Sequence, residues 1–316
     1  MPWNLPPPRL PAPQFVTPVR ADLRGIAGPK PSTARGSKWR RVAPHLFVPT
    51  DASLQQPAQR ILEASLRIGD GRGAVSGWAS LHLAGAPWFE GRDSWGRDLP
   101  VLLVSRSQIT VPIGVRLLRA GVDQAELVLR HGVPCTGVHR ALFDEIRSRG
   151  HLRPAVAAID MALHAGLTTL DEFGAWLAPL RCVPGLVLAR EALALAMPGA
   201  ESPPESGLRL LWQLDARLGP PLPNVNLHST SGRFLGRPDL FDPVAGVIGD
   251  YDGAHHRETR ARAKDVAREE LFRNHGLEYF SVVGGEMHRR QMIVERIHAT
   301  YARAGASTVL PRWRVS

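Results

Sequence analysis

Apolar residues recur along the chain with two different periods, and the change of period marks the elements. In "SKWRRVAPHLFVPT" (37–50) the inward set Val42, Leu46 and Val48 predicts a short strand pair. In "QQPAQRILEASLRIG" (55–69) Ile61, Leu62 and Leu66 return near helical spacing, which predicts an amphipathic helix. "GAVSGWASLHLAG" (73–85) reads as a second helix, ended by Gly85. "DLPVLLVS" (98–105) and "GVRLLRAGV" (114–122) read as strands. Three helices follow over 139–150, 153–166 and 168–180. The middle one is apolar on Val156, Ile159, Ala162 and Leu163, and the last opens on Thr and Asp.

Near residue 195 the texture changes. "MPGAESPPE" (197–205) is a linker running into a helix over 203–218. Strands are expected around 224–229, 233–241 and 244–251, then a long basic helix over 257–275. A strand over 277–283 and a helix over 286–303 complete the pattern. Three strands, a helix, a strand and a helix predict a mixed sheet flanked by helices. The chain therefore reads as α/β, with an N-terminal α+β domain over 37–195 and a second domain over 196–305. Residues 1–36 are expected to be a disordered, proline-rich arm, and 306–316 a tail. No internal repeat is visible.

Composition narrows the class. With 316 residues and 44% hydrophobic content the chain can bury a core in each of about two domains. No apolar run approaches the ~20 residues needed to cross a bilayer, and "MPWNLPPPRLPAPQFVTPVR" lacks the layout of a signal peptide. The two cysteines, Cys135 and Cys182, have neither CxxC spacing nor a disulfide framework. A reducing, cytoplasmic setting without a membrane partner is expected. The net charge is +10, and of 39 basic residues only Lys30, Lys38 and Lys264 are lysine. That excess fits a polyanionic partner through counterion release. It equally fits a coding bias towards Arg, Ala, Gly and Pro.

Four pieces of the C-terminal half carry candidate chemistry. "ESPPESGLRLL" places Glu205 in an S-x-x-E capping form with Pro at the first helical turn, a sufficient structural role in itself. "GRFLGRPDLFDP" sets Asp239 beside Leu240 and Phe241, where an acid is costly unless paired or bound to a cation. "GVIGDYDGAHHRE" ends an apolar run in Asp250 and Asp252, which strand alternation puts on one side with Tyr251 on the other. Neighbouring carboxylates repel unless a proton or cation joins them. Asp239, Asp250 and Asp252 together would make a hard oxygen site suited to Mg2+ or Mn2+. Gly253 allows a turn that brings His255 or His256 back towards the acids. Finally, Arg257, Arg260, Lys264 and Arg268 are spaced 3, 4 and 4 apart, so one helix face is basic. Such a face can follow a phosphate backbone. It is also what a solvated helix looks like, since Asp265, Glu269 and Glu270 are interleaved.

Taken in order, "ESPPESGLRLLW", "GRPDL", "GDYDGAHHR" and "KDVAREELFRNHGLEYFSVV" resemble the very short patch repair endonuclease-like branch of the PD-(D/E)XK nuclease superfamily, over about residues 198–304. The resemblance implies a restriction-endonuclease-like fold and a divalent metal. It would make Glu205 the helix glutamate, Asp239 the aspartate of the first motif and Asp250 the acid of the second. Asp252 would stand at the usual lysine position, with His255 or His256 handling a proton or contacting phosphate. Lys264 and Asp265 would match a basic–acidic helix pair. Relatives usually carry Glu where this chain has Asp250. "SKWRRVAPHLFVPTD", "GAVSGWASLHLAG" and "HGVPCTGVHRALFDEI" are similar to a type IV abortive-infection antitoxin-like region, which implies no catalytic residues. Family members often begin with a small winged helix, and the proline-rich arm stands in its place.

The expectation is thus a metal-dependent DNA endonuclease or nickase acting in repair or defence. The catalytic set would be Glu205, Asp239, Asp250, Asp252, His255 and His256, and DNA would be held by Arg257, Arg260, Lys264 and Arg268. The alternative is a catalytically decayed nuclease fold acting as a DNA-binding, antitoxin-like regulator. A third reading is a protein-interaction scaffold. The sequence leaves the oligomeric state open.

Overall fold

A computed structural model of the chain describes residues 12–68, 73–253 and 268–315. It is mixed α/β, and it divides into two compact units, Met1–Ala194 and Leu195–Ser316.

The first unit opens with a three-stranded antiparallel sheet. β1 (Val19–Arg20) and β2 (Trp39–Ala43) flank β3 (Leu46–Pro49). Val42 and Val48 are buried in it, as their alternation requires. The segment expected to be a free arm is therefore built in from residue 19 onward. Asp22 also holds the backbone N–H groups of Arg24, Ile26 and Ala27 in a turn. Residues 1–11 lie outside the described residues.

Helix α1 (Pro57–Ser65) buries Ile61. The run 73–85, expected to be one helix, is split. Gly73–Ser76 is a strand, β4, and Trp78–Leu83 a short helix, α2. Gly77 between them takes φ +61, a left-handed conformation that glycine reaches without Cβ strain. The strand is buried on both faces, so its sequence shows no alternation to betray it. It is the centre of a five-stranded mixed sheet ordered β6-β5-β4-β8-β7. The other strands are β5 (Val101–Ser105), β6 (Val115–Arg119), β7 (Leu127–Arg130) and β8 (Val133–Thr136). Helices α3 (Val138–Arg149), α4 (Leu152–His164), α5 (Leu170–Leu177) and α6 (Leu186–Leu195) follow. At the start of α5 Thr169 and Glu172 close a reciprocal capping box.

The second unit starts with α7 (Pro203–Leu210), capped by Ser202 and continued as a π-type turn over Leu211–Asp215. Its four-stranded sheet is ordered β14-β13-β12-β9. The strands are β9 (Leu222–Pro223), β12 (Leu240–Asp242), β13 (Val247–Asp252) and β14 (Glu278–Val283). β12 and β13 form an antiparallel pair, while β13 and β14 run parallel over six residue pairs. Residues 268–273 form a helical segment, α8, and α9 spans Arg290–Ala306.

One face of this sheet packs Leu240, Val247, Phe280 and Val282 against Leu208, Leu211 and Trp212 of the α7 region and Ile293 and Ile297 of α9. The other buries Phe241 and Ile248 with Leu227, Leu235, Phe272 and Leu277. Leu227 and Leu235 belong to a separate antiparallel sheet ordered β11-β10-β15: β10 (Leu227–Ser229), β11 (Phe234–Gly236) and β15 (Trp313–Val315). The stretch 306–316, expected to be a tail, thus supplies a strand. Trp313 packs edge-on against Phe241, with ring centroids 5.0 Å apart.

Candidate functional site

The acids gather where β12 begins and β13 ends. Along β13, Val247 and Tyr251 pack on the α7/α9 side and Ile248 on the other. Strand alternation then puts Asp250 on the face of Ile248, opposite Tyr251, as the sequence pattern predicts. Gly249 sits where any Cβ would come within 2.6 Å of the Phe280 ring and 3.0 Å of Trp212. The strand can pass these rings only because that residue has no side chain.

Asp239 and Asp250 hold each other through the backbone. The Asp239 N–H donates to Asp250 Oδ1 at 3.0 Å, and the Tyr251 N–H donates to Asp239 Oδ2 at 2.6 Å. Asp250 is buried, and its Oδ2 lies 3.1 Å from Nη1 of Arg268. Arg268 is fixed in turn by stacking over Phe272, 5.3 Å from the ring centroid, and by donating to the Arg237 carbonyl at 3.4 Å.

Glu205 stands in the first turn of α7. Its Oε1 accepts from Ser202 Oγ at 2.7 Å, and its Oε2 from the Glu201 N–H at 2.8 Å and Asn224 Nδ2 at 2.7 Å. The Glu205 N–H donates back to Ser202 Oγ at 3.4 Å. Glu205 therefore serves the helix start, though through the amide of Glu201 in place of the cap residue's own. Asn224 escaped the sequence reading. It joins the two halves of the site: its side chain reaches Glu205, while its N–H donates to the Asp239 carbonyl at 3.0 Å. It takes φ +52, a left-handed conformation that Asn enters more readily than most residues, and no motif in the sequence marks it.

The electrostatics follow from this packing. Burial, then the charge of Asp250, push the Asp239 carboxyl up to about 7. Glu205 pushes the same way, while the Tyr251 N–H and Arg268 oppose it. Asp239 thus feels both of the other expected acids, Asp250 and Glu205.

Asp252 lies exposed at the end of β13. His255, His256, Arg257, Arg260, Lys264 and Asp265 fall outside the described residues. Among the described residues, no three His, Cys, Asp or Glu side chains form a group set to hold a metal ion.

The first unit holds a second charged cluster that the pattern did not single out. Asp144 and Glu145 of α3 are both buried. Asp144 accepts from Ser76 Oγ at 2.7 Å and Arg140 Nε at 3.0 Å, with Arg147 Nη1 at 3.3 Å. Glu145 accepts from the Trp78 N–H at 2.9 Å, which caps α2, and from Arg149 Nε at 2.6 Å. Each acid has an arginine three or four residues along the helix. That spacing in "HRALFDEIRSR" was readable, and it marks a paired structural network.

In comparison with known proteins, no protein-family model, no curated protein and no solved structure matches this chain. Among the described residues no helix is long and apolar enough to cross a membrane.

Proposed function

We propose that the second unit is a metal-dependent DNA endonuclease or nickase with a restriction-endonuclease-like arrangement. The supporting observation is the pairing of Asp239 with Asp250 at adjoining strand ends, with Glu205 pushing on Asp239 and Arg268 at the rim. Mg2+ or Mn2+ is the ion of this reading, because Asp239 and Asp250 offer carboxylate oxygens, the hard donors these ions prefer. Asp239 and Asp250 would hold the ion. When bound, it would supply charge stabilisation to a scissile phosphodiester and acidify a water molecule. Glu205 orients the site through Asn224, and Arg268 neutralises charge beside Asp250. DNA is the partner of this reading, and its track would be the basic residues that the sequence spacing groups with Arg268.

Two measurements test it together. Supercoiled plasmid incubated with Mg2+ or Mn2+ is expected to be nicked or linearised by the wild-type chain and left intact by Asp239→Asn and Asp250→Asn. Mg2+ is also expected to raise the melting temperature of the wild type and to leave that of Asp239→Asn unmoved. Intact plasmid across both metals, with no thermal response to either, would refute the nuclease reading.

The ion pair between Arg268 and Asp250 favours one second reading. A guanidinium on the acid can replace the metal charge, leaving a DNA-binding, antitoxin-like regulator without catalysis. Salt-sensitive DNA binding in the absence of any cleavage would support it.

A further inference from the structure

The small sheet of the second unit carries an outward row of side chains that the acidic site does not use. His228 at the centre of β10 pairs across the ladder with Phe234 on one side and Arg314 on the other. Laterally paired residues share a face. Leu227 and Leu235, on the opposite face, are buried in the core. The His228 and Phe234 rings meet edge to face, with centroids 5.4 Å apart. Phe234 nonetheless remains 55% exposed. An exposed aromatic ring backed by a second ring and flanked by a guanidinium is a stacking surface.

The chain segments that build it carry one sign of charge. Residues 224–238 and 304–316 contain Arg233, Arg237, Arg312 and Arg314 and no Asp or Glu. Arg237 is engaged with Glu201, while Arg233, Arg312 and Arg314 are exposed. We propose that Phe234, His228 and Arg314 form a platform for an unpaired nucleic-acid base, with Arg233 and Arg314 meeting the flanking phosphates. Base stacking on aromatic rings combined with arginine contacts is the usual chemistry of single-strand binding. Only Arg237 and Pro238 separate β11 from Asp239. Five residues of chain join Phe234 to Asp239, a reach of at most about 18 Å. The proposal rests on the reading of DNA as partner, and it adds that the substrate has an unpaired segment.

The test is fluorescence anisotropy with the full chain in EDTA, so that no cleavage intervenes. The probes are a labelled oligothymidylate, a duplex of the same length and polyglutamate. Phe234→Ala is expected to weaken oligothymidylate binding by at least about fivefold, with Phe234→Trp close to wild type. Arg314→Ala is expected to weaken it as well and to lower the salt slope by about one. The duplex should respond less to Phe234→Ala. Unchanged oligothymidylate affinity in Phe234→Ala, an equal loss for duplex and single strand, or equal capture of polyglutamate would each overturn the proposal. So would a wild-type chain that binds no oligonucleotide at low salt. Phe234 is largely exposed, so its variants should fold, and matched melting temperatures check this. Binding in EDTA and nicking of plasmid with Mg2+ are separate readouts. A platform without nuclease activity, or a nuclease without a platform, would therefore be told apart.

Discussion

Replacing Asp239 by Asn isolates the electrostatic cost of the acidic cluster. The amide has the carboxylate's shape, and its oxygen can still accept the Tyr251 N–H that now lies 2.6 Å from Oδ2. What disappears is the charge. The carboxyl stands at about 7 in the fold against an ordinary 3.8, because burial and the neighbouring Asp250 disfavour ionisation. At about 1.4 kcal/mol per pH unit, that gap corresponds to roughly 4 kcal/mol. The direction follows from proton counts. Below 3.8 the carboxyl is protonated in both states, and its contribution to stability is fully present. Between 3.8 and about 7 the unfolded chain ionises while the folded one keeps its proton, so stability falls as pH rises. Above about 7 the loss is complete. Wild type should therefore lose up to about 4 kcal/mol relative to Asp239→Asn between about pH 4 and about pH 8. Urea unfolding of both chains across this range reads the difference. Hydrogen exchange on peptides spanning 240–252 assigns it to β12 and β13. Parallel stability profiles for the two proteins would show that the cluster does not penalise the charged form.

Three further outcomes follow from packing and burial. Gly249→Ala drives a methyl into the Phe280 ring at 2.6 Å and against Trp212 at 3.0 Å, so denaturant titration should show a loss of about 1–3 kcal/mol. Asp144→Ala strips Ser76, Arg140 and Arg147 of a common acceptor, and thermal unfolding should report a loss of about 2–4 kcal/mol. Cys135 is buried and its thiol is pushed up to about 11, whereas Cys182 is exposed. A thiol reagent near neutral pH should therefore label one cysteine quickly and the second only on unfolding, with peptide mapping to identify the sites.

Much of the second unit was legible because its sequence states the physics directly. An S-x-x-E turn before an apolar helix and a strand alternating around Tyr251 could be read for local structure, while what the acids at its end do could not. Where the sequence misled, long-range context decided. Residues 73–76 are strand because β5 and β8 flank them, and a strand buried on both faces has no period to detect. The β7–β8 hairpin was missed because its turn is His131-Gly132, which takes the left-handed φ of a two-residue turn without the Asn-Gly or Asp-Gly that announces one. β15 is three residues long and exists through its pairing with β10, which nothing local announces. Asn224 carries no motif, and its place between Glu205 and Asp239 emerges only when β9 has brought the loop alongside β12. Alternation alone sets Asp250 opposite Tyr251, but its contact with Asp239 depends on the pairing of β12 with β13, and its ion pair with Arg268 on a helix 18 positions later.

The mutual grip of Asp239 and Asp250 has a consequence for dissecting the site. Each side chain anchors the main chain that presents the other, so the two positions behave as one clasp. Alanine at either position removes one of the two hydrogen bonds and frees the main chain on which the other is aligned, so the two losses are not independent. A thermodynamic cycle over the two alanine variants should show strong coupling, and one over the two asparagine variants should show less. Loss of activity on truncating one acid would then measure the opening of the clasp together with the loss of a carboxylate. The amide variants, which keep the clasp shut, separate chemistry from architecture.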